Sequence, residues 1–370
     1  MDLKNSVIAL TAATLTTLAT AEVSPAIVTA TSNPNSRLAA AGAYSGVARL
    51  SLTNTLGAST SCTGSLLQGG LHILTAAHCL TDERGDRNIV STTVSFVELP
   101  NAFSVANNGY FIFPRWQGDF FRGDDLAILR LTRRVTGVEQ YGIYRDTDEI
   151  GQVFTKVGYG RIGTGSEGDR VDLYGRGKLF GLNRFDARAE DFPDLIYNPI
   201  SRTQLLFDFD NGRADNNFFP DSDLGLGSRE VNTAPGDSGS PAFINGLIAG
   251  ITTYGERGTG ATDIDGVVNS SFGEYSSETR VSSYQRYIDR VLAGNAGPSY
   301  IPSPRTLTSA NSEASGVSLA TLADPLSPDL SNTDSTATVP EPSSLMGLLA
   351  AIVSGAMYWK RKSLPENQLP

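Results

Sequence analysis

Short apolar runs rich in β-branched residues fill the middle of the chain, between about residues 38 and 294. Gly, Asn, Asp and Pro interrupt these runs every few residues, which is typical of antiparallel strands joined by turns rather than of alternating strands and helices. The runs that predict strands are 47–52, 73–74, 92–97, 127–131, 154–157 and 248–254. Near the end of this region, Val281, Tyr284, Ile288 and Val291 or Leu292 recur at helical spacing. The pattern predicts an all-β domain closed by a C-terminal helix.

The beginning of the chain has the composition of a signal peptide. Lys4 supplies a positive charge, residues 7–18 are apolar and Thr-rich, and small residues precede Glu22. A buried N-terminal helix is the alternative, but the β-branched threonines and the lack of an amphipathic stripe disfavour it. We expect a signal peptide at 1–21, export from the cytoplasm, and a possible pro-segment at 22–37.

Beyond the predicted helix the chain changes composition twice. Residues 295–337 are rich in Ser, Thr, Pro and Ala and contain too little apolar surface to fold, so they predict a disordered stalk. Residues 343–359 then carry no charge and are followed by Lys360, Arg361 and Lys362. This span reaches the lower limit for a hydrophobic tail helix that crosses a bilayer with its basic end in the cytoplasm. A core helix is the alternative.

The sequence VPEPS at 339–343, the apolar span and the basic end together resemble the PEP-CTERM sorting tail of bacterial exported proteins. The resemblance covers the tail at 338–370. It implies processing by an exosortase-type enzyme and a location at the bacterial cell surface, membrane-anchored or released after the tail is processed.

Charge and composition exclude some functions of the 370-residue chain. It contains 29 Lys and Arg against 39 Asp and Glu, a net charge of −10, without a long basic run. Such a chain repels phosphate backbones, so nucleic acid is not an expected partner. Because it has only 2 Cys and 2 His, a Cys/His zinc cluster is disfavoured as well.

Three segments place reactive groups at the ends of predicted strands. His78 lies in LTAAHC, Asp124 and Asp125 precede the run at 127–131, and Ser238 lies in the turn sequence GDSGSP. A serine hydroxyl becomes a nucleophile when an imidazole takes its proton and a carboxylate fixes the imidazole tautomer. The amides of Gly236 and Ser238 are candidates for an oxyanion hole. Taken singly, each segment also has an ordinary structural explanation, but their joint occurrence favours acyl transfer.

The order His, Asp, Ser in these segments resembles that of the chymotrypsin-like (trypsin family) serine peptidases, whose segments commonly read TAAHC, DIALL and GDSGGP. The resemblance spans roughly residues 47–292 and implies a peptidase domain at 38–294 made of two antiparallel six-stranded β-barrels. It implies that His78 is the general base, Asp125 orients it, Ser238 attacks the substrate, and no cofactor is needed. Asp125 is preferred to Asp124 because only then does the following strand match the family's alternation.

The two cysteines fit the same resemblance. Cys62 and Cys79 match the family's disulfide beside the catalytic histidine, and an exported chain with a pair of cysteines favours one bridge. Two free buried thiols are the alternative.

Some positions depart from the family pattern. Ser240 replaces the usual glycine, Ala234 stands where a cysteine is common, and the family's activation sequence RIVGG is absent. In the family, a freed N-terminal ammonium pairs with the acid before the nucleophile, here Asp237. The nearest basic cleavage point is Arg37-Leu38.

The resemblance also implies a substrate pocket with Asn232 at its floor and Thr253, Tyr254 and Gly255 along its wall. A neutral floor predicts bulky uncharged side chains before the cleaved bond. Entry of Glu230 or Glu274 into the pocket would instead restore a preference for basic side chains.

An acidic insertion at 186–228 raises a calcium hypothesis. Its oxygen ligands would be Asp208, Asp210 and Asp215, with further donors at Asn211, Asp221 and Asp223. The spacing does not match an EF-hand loop. A solvated acidic loop is the alternative and the preferred interpretation.

These observations predict an exported serine endopeptidase that meets signal peptidase, an exosortase-type enzyme and polypeptide substrates, and that contacts a membrane through its tail. A catalytically idle binding module on the same fold, and an esterase with the same triad, are the alternatives.

Overall fold

The structure, a computed structural model, describes residues 27–174, 177–192, 201–257 and 262–302. The chain divides into two units, Met1–Thr306 and Leu307–Pro370, and the second lies wholly outside the described residues. The predicted signal peptide, the sorting tail with its apolar span, and the stalk after residue 302 also lie outside them. Within the described ranges no helix has the length and hydropathy needed to cross a membrane.

The regular structure of the described chain is mainly β-strand, in short segments that follow the predicted apolar runs. In chain order the strands are β1 (Ile27–Thr29), β2 (Val47–Asn54), β3 (Ser59–Leu66), β4 (His72–Thr75), β5 (Ile89–Ser95), β6 (Phe103–Ile112), β7 (Ala127–Leu131), β8 (Val153–Gly158), β9 (Arg161–Thr164), β10 (Gly168–Tyr174), β11 (Leu179–Arg184), β12 (Ala187–Arg188), β13 (Gln204–Asp208), β14 (Val231–Asn232), β15 (Pro241–Ile244), β16 (Leu247–Arg257) and β17 (Glu274–Arg280). Every apolar run named from the sequence falls within or overlaps one of them.

The strands form one closed barrel and a second, more open part. The barrel has the order β2-β3-β4-β7-β6-β5. The second part consists of a seven-stranded sheet, β11-β8-β15-β16-β17-β13-β12, and a four-stranded sheet, β10-β9-β1-β14. Two six-stranded barrels were expected. The second part differs because β12 and β13, from the acidic insertion, extend one sheet, and β1 joins the other.

The predicted C-terminal helix is present in two parts. A 3₁₀ turn spans Val281–Tyr284 and leads into α1, Gln285–Leu292. The other 3₁₀ turns are Pro34–Arg37, Phe120–Arg122, Ala189–Asp191, Ala214–Asn216 and Gly227–Arg229. The apolar stripe of the helix packs on the closed barrel, where the ring of Phe113 meets Tyr284 and Tyr287 edge-on at centroid distances of 4.8 and 5.0 Å. The helix therefore belongs to the barrel's core.

Contacts of the folded domain continue past the helix to Ser299. Its amide donates to the carbonyl of Tyr110 at 2.7 Å, and its hydroxyl oxygen accepts from the amide of Ile112 at 3.0 Å. The guanidinium of Arg87 donates to its carbonyl at 3.1 Å. The first residues of the region expected to be a stalk thus attach to the barrel, because β6 leaves backbone groups free to pair with them.

Candidate active site

His78 and Asp125 come together because their segments leave neighbouring strands at the same edge of the barrel. β4 and β7 are antiparallel with Thr75 opposite Ala127, so the end of β4 lies beside the start of β7. Nδ1 of His78 lies 2.7 Å from Oδ2 of Asp125, and the amide of His78 donates to Oδ1 at 2.8 Å. Asp125 is completely buried. An ionised Asp125 accepts only, so it favours the tautomer in which Nδ1 carries the proton and Nε2 is free to accept one.

Asp124 has a different environment, although it is the adjacent residue. Its φ is +64°, in the left-handed region that non-glycine residues seldom occupy. Its carboxylate accepts from the hydroxyl of Tyr284 at 2.9 Å and from Arg115 at 3.2 Å. The structure thus places Asp125, and not Asp124, against His78.

A turn before β15 presents Ser238, and two of its glycines are required by geometry. Gly236 and Gly239 have φ values of +99° and +79°, in the region that favours glycine. A side chain at Gly236 would meet the Cα of Gly160 at 2.8 Å, and one at Gly239 would collide with the side chain of Thr75. The turn can therefore lie directly against the barrel and against the loop after β8.

The amides of this turn divide into two groups. Those of Asp237, Gly239 and Ser240 donate to backbone carbonyls at 2.8 to 3.0 Å. Those of Gly236 and Ser238 donate to no acceptor within the described ranges. Two free amides beside a serine hydroxyl are the arrangement that an oxyanion requires.

Contacts across the barrel hold the Ser238 turn close to His78. The amide of Thr63 donates to the carbonyl of Ser238 at 2.9 Å, and its hydroxyl donates to that of Gly236 at 3.0 Å. Cys62 and Cys79 form the disulfide that the sequence predicted. Sγ of Cys79 lies 3.7 Å from the carbonyl oxygen of Ser238 and 4.0 Å from Nε2 of His78. The bridge thus connects the segment of the histidine with that of the serine.

The seven-stranded sheet completes the surroundings of Asp125. The hydroxyl of Thr253, in β16, donates to Oδ2, and that of Thr279, in β17, donates to the backbone carbonyl of Asp125 at 2.9 Å. The sequence placed Thr253 in the substrate pocket alone and missed its contact with the acid, because the two residues are 128 positions apart.

A cavity of about 160 Å³ opens beside Ser238. Of the residues that the sequence assigned to a substrate pocket, Thr253, Tyr254 and Gly255 line this cavity and Asn232 does not. The side chain of Asn232 is buried behind the cavity, where its Oδ1 accepts from Ser276 Oγ at 2.7 Å and from the amide of Thr233 at 2.9 Å. The other lining residues are Asp169, Thr233, Ala234, Pro235, Thr252, Val268, Asn269, Ser270 and Glu274.

Below the turn, beside Asp237, lies a buried ion pair for which the sequence had given no prediction. Lys156 and Glu278 are both completely buried and form an ion pair at 2.5 Å, and Lys156 also donates to the carbonyl of Ser240 at 3.2 Å. Asp237 is fully buried and accepts from the amides of Gly160 and Ala234, both at 2.9 Å. Burial raises the pKa of Asp237 to about 7, since these amides and the charge of Lys156 only partly offset it. The lone lysine in an apolar strand was the available signal.

The acids named as calcium ligands lie in two different environments. Asp208 and Asp210 are each 3% exposed rather than solvated, and Asp208 accepts from the amides of Phe218 and Phe219. The side chain of Asp215 is 87% exposed. Within the part of the chain that the structure describes, the only three potential metal-ligating side chains that converge are Cys62, His78 and Cys79, and two of these are the disulfide. Asp208 and Asp210 are thus part of the folded interior and not of a solvated loop.

The fold and these contacts define a chymotrypsin-like domain with a Ser, a His and an Asp at the junction of its two halves. One solved structure with a similar fold, "HL collagenase", aligns with a TM-score of 0.50 at 18% identity, over 69% of this chain and 96% of that one. The Trypsin family matches residues 36–184. "Snake venom serine proteinase 14" of Crotalus adamanteus is 24% identical over 237 residues, 63% of this chain and 78% of that protein. The described domain is therefore similar to the trypsin family in sequence over residues 36–184 and has the chymotrypsin-like fold.

Proposed function

We propose that the chain is an exported serine endopeptidase that cleaves peptide bonds through an acyl-enzyme. The observation that carries the proposal is the His78–Asp125 contact, at an edge where the Ser238 turn leaves two amides free. In this mechanism His78 takes the proton of Ser238 and then gives it to the leaving amine, while Asp125 stabilises the imidazolium. The amides of Gly236 and Ser238 hold the oxyanion.

Export and tethering are part of the proposal. The signal-like start and the PEP-CTERM-like end of the sequence support a route through signal peptidase and an exosortase-type enzyme to the bacterial cell surface. The disulfide supports it too, because such bonds persist in oxidising compartments.

Fluorophosphonate labelling of the full chain, together with a form that begins at Ile27, tests the catalytic proposal. The probe loses fluoride when an activated serine oxygen attacks its phosphorus, so wild-type protein is expected to be labelled at Ser238. The variants Ser238→Ala and His78→Ala are expected to lose labelling and peptide hydrolysis by roughly a thousandfold or more. An unlabelled wild type would instead favour the idle binding module. A labelled protein that cleaves esters but no peptides would favour the esterase.

A further inference from the structure

The cavity beside Ser238 contains an acid for which the proposed chemistry has no role. Glu274 begins β17 and lines the cavity, yet only 1% of the residue is exposed. Its Oε1 accepts from the amides of Asn269 and Ser271, both at 2.9 Å. Because Asn269 also lines the cavity, this loop and the carboxylate fix one another in the cavity wall.

No cation of the described residues neutralises Glu274. Its ladder neighbour, Arg257, donates to a backbone carbonyl instead of to the carboxylate. The other acid of the wall, Asp169, is paired with Arg161 at 3.0 Å. No Lys or Arg in the described ranges forms an ion pair with Glu274. A buried carboxylate without a positive partner is energetically costly. A cationic side chain that enters the cavity would supply this partner and would be bound favourably.

The pKa of the Glu274 carboxyl group is consistent with the absence of a positive partner. Burial raises the pKa of Glu274 to about 7, and repulsion by Asp263 adds to the effect. The hydrogen bonds from the loop amides lower the pKa but do not restore its ordinary value. A neighbouring cation lowers the pKa of a carboxyl group, so binding a cationic side chain and ionising Glu274 favour each other.

The cavity is too large to distinguish substrate side chains by size, so charge is the property that can distinguish them. About 160 Å³ is comparable to the ~150 Å³ cavities that hold benzene, so it admits either an aromatic or a long basic side chain. The carboxamide oxygen of Asn232 is taken by Ser276 and Thr233. Glu274 and Asp169 remain as the acids of the wall, and only Glu274 lacks a positive partner.

We propose that Glu274 is the specificity-determining residue and that it selects substrates with Lys or Arg before the cleaved bond. The inference rests on the proposed peptidase function, and it replaces the preference for bulky uncharged side chains that the sequence suggested from Asn232. The selecting charge comes from the start of β17 instead of from the segment before the nucleophile.

Peptide amides that differ only in the residue before the cleaved bond test the assignment. With Arg, Lys, Tyr and Leu at that place, wild-type kcat/KM is expected to be highest for Arg and Lys. Glu274→Gln keeps an oxygen for the two loop amides and is expected to lower kcat/KM for Arg and Lys by roughly 30- to 1,000-fold, with Tyr and Leu within about threefold. Asp169→Asn removes the other acid of the wall for comparison. The control is Asp215→Asn, which changes an exposed acid outside the cavity and is expected to leave the ratio of Arg to Tyr within about threefold.

Fluorophosphonate labelling separates the two levels of the proposal. An unlabelled wild type would overturn the peptidase function itself. A labelled wild type that prefers Tyr or Leu would overturn the role of Glu274 alone, and this result does not depend on whether Glu274→Gln folds. If Asp169→Asn, rather than Glu274→Gln, abolished the basic preference, the selecting residue would be Asp169.

Discussion

Asp125 accepts hydrogen bonds from three surrounding groups, and this determines what its replacement should do. The ring and the amide of His78 and the hydroxyl of Thr253 all point at its carboxylate. An amide in its place would present an NH₂ group to some of these donors. At the residue scale, the position therefore demands an acceptor that is ionised, and not just a polar side chain of the right size.

Replacing Asp125 by Asn is expected to reduce kcat by about 10⁴-fold, because the amide stabilises the wrong tautomer of His78. Asp124→Asn is the matched control: it removes one charge from the adjacent residue, which contacts Tyr284 and Arg115 instead. We expect the control to retain activity within about threefold. Steady-state hydrolysis of one peptide substrate by both variants measures the difference, and a reversed order of the two effects would assign the acid to Asp124.

At the scale of elements, β1 changes the expected start of the mature chain. Its three residues are fully buried, and β1 pairs with β14 and β9 through Val28–Asn232 and Ile27–Ile162. The N-terminal end of β1 thus lies beside the segments that contain Gly160 and Ala234, whose amides bind Asp237. Cleavage at Arg37-Leu38 would leave this strand outside the mature chain.

We therefore expect the active protein to begin at Ile27, with its ammonium as the missing partner of the buried Asp237. An opposite charge beside a buried carboxyl lowers its pKa and favours the ionised form. N-terminal sequencing of fluorophosphonate-labelled protein checks this. An active form that starts at Leu38 or Glu22 would contradict it.

The elements and the site differ in how far the sequence could predict them. The strands of the barrel could be predicted because each apolar run is a local feature of the sequence. His78, Asp125 and Ser238 could be named as candidates because the residues that flank them form recognisable segments. Thr253 and Asp125 meet only through the arrangement of β16 against the barrel, a contact without a local signal. Asn232 was placed in the pocket by counting, and counting does not reveal that Ser276 holds its side chain behind the wall. The sequence could name Glu274 as an alternative pocket residue but could not prefer it to Asn232. Its position in the cavity wall depends on hydrogen bonds with the loop at 269–271, which only the folded structure reveals.

The whole molecule retains protons that its unfolded chain would release. Asp210 and Glu230 are buried close to further acids, and this raises their pKa values to about 9 and about 8. In the unfolded chain such groups ionise near pH 4. Between these limits the folded chain binds more protons than the unfolded one, so the free energy of unfolding falls as the pH rises. Each retained proton contributes up to ~1.4 kcal/mol per pH unit.

Thermal unfolding is accordingly expected at a lower temperature at pH 9 than at pH 5. Asp210→Asn removes one of the retained protons and is expected to raise Tm at pH 8 and to flatten the profile. The control Asp215→Asn changes an exposed acid of the same insertion and is expected to leave the profile unchanged. Calorimetry of the three proteins across this range measures the effect, and a wild-type Tm that rises steadily to pH 9 would contradict it.

The disulfide between Cys62 and Cys79 makes the stability of the His78 segment depend on the redox state of the surroundings. Cys79 directly follows His78, so the bond that closes this loop also anchors the imidazole. A loop of this size contributes about 3 kcal/mol when it is closed. In a reducing cytoplasm the thiols stay apart and that contribution is missing. On the export route proposed above, a newly made chain would gain this bond only after leaving the cytoplasm, and the proposed peptidase would reach full activity away from the cell's own proteins.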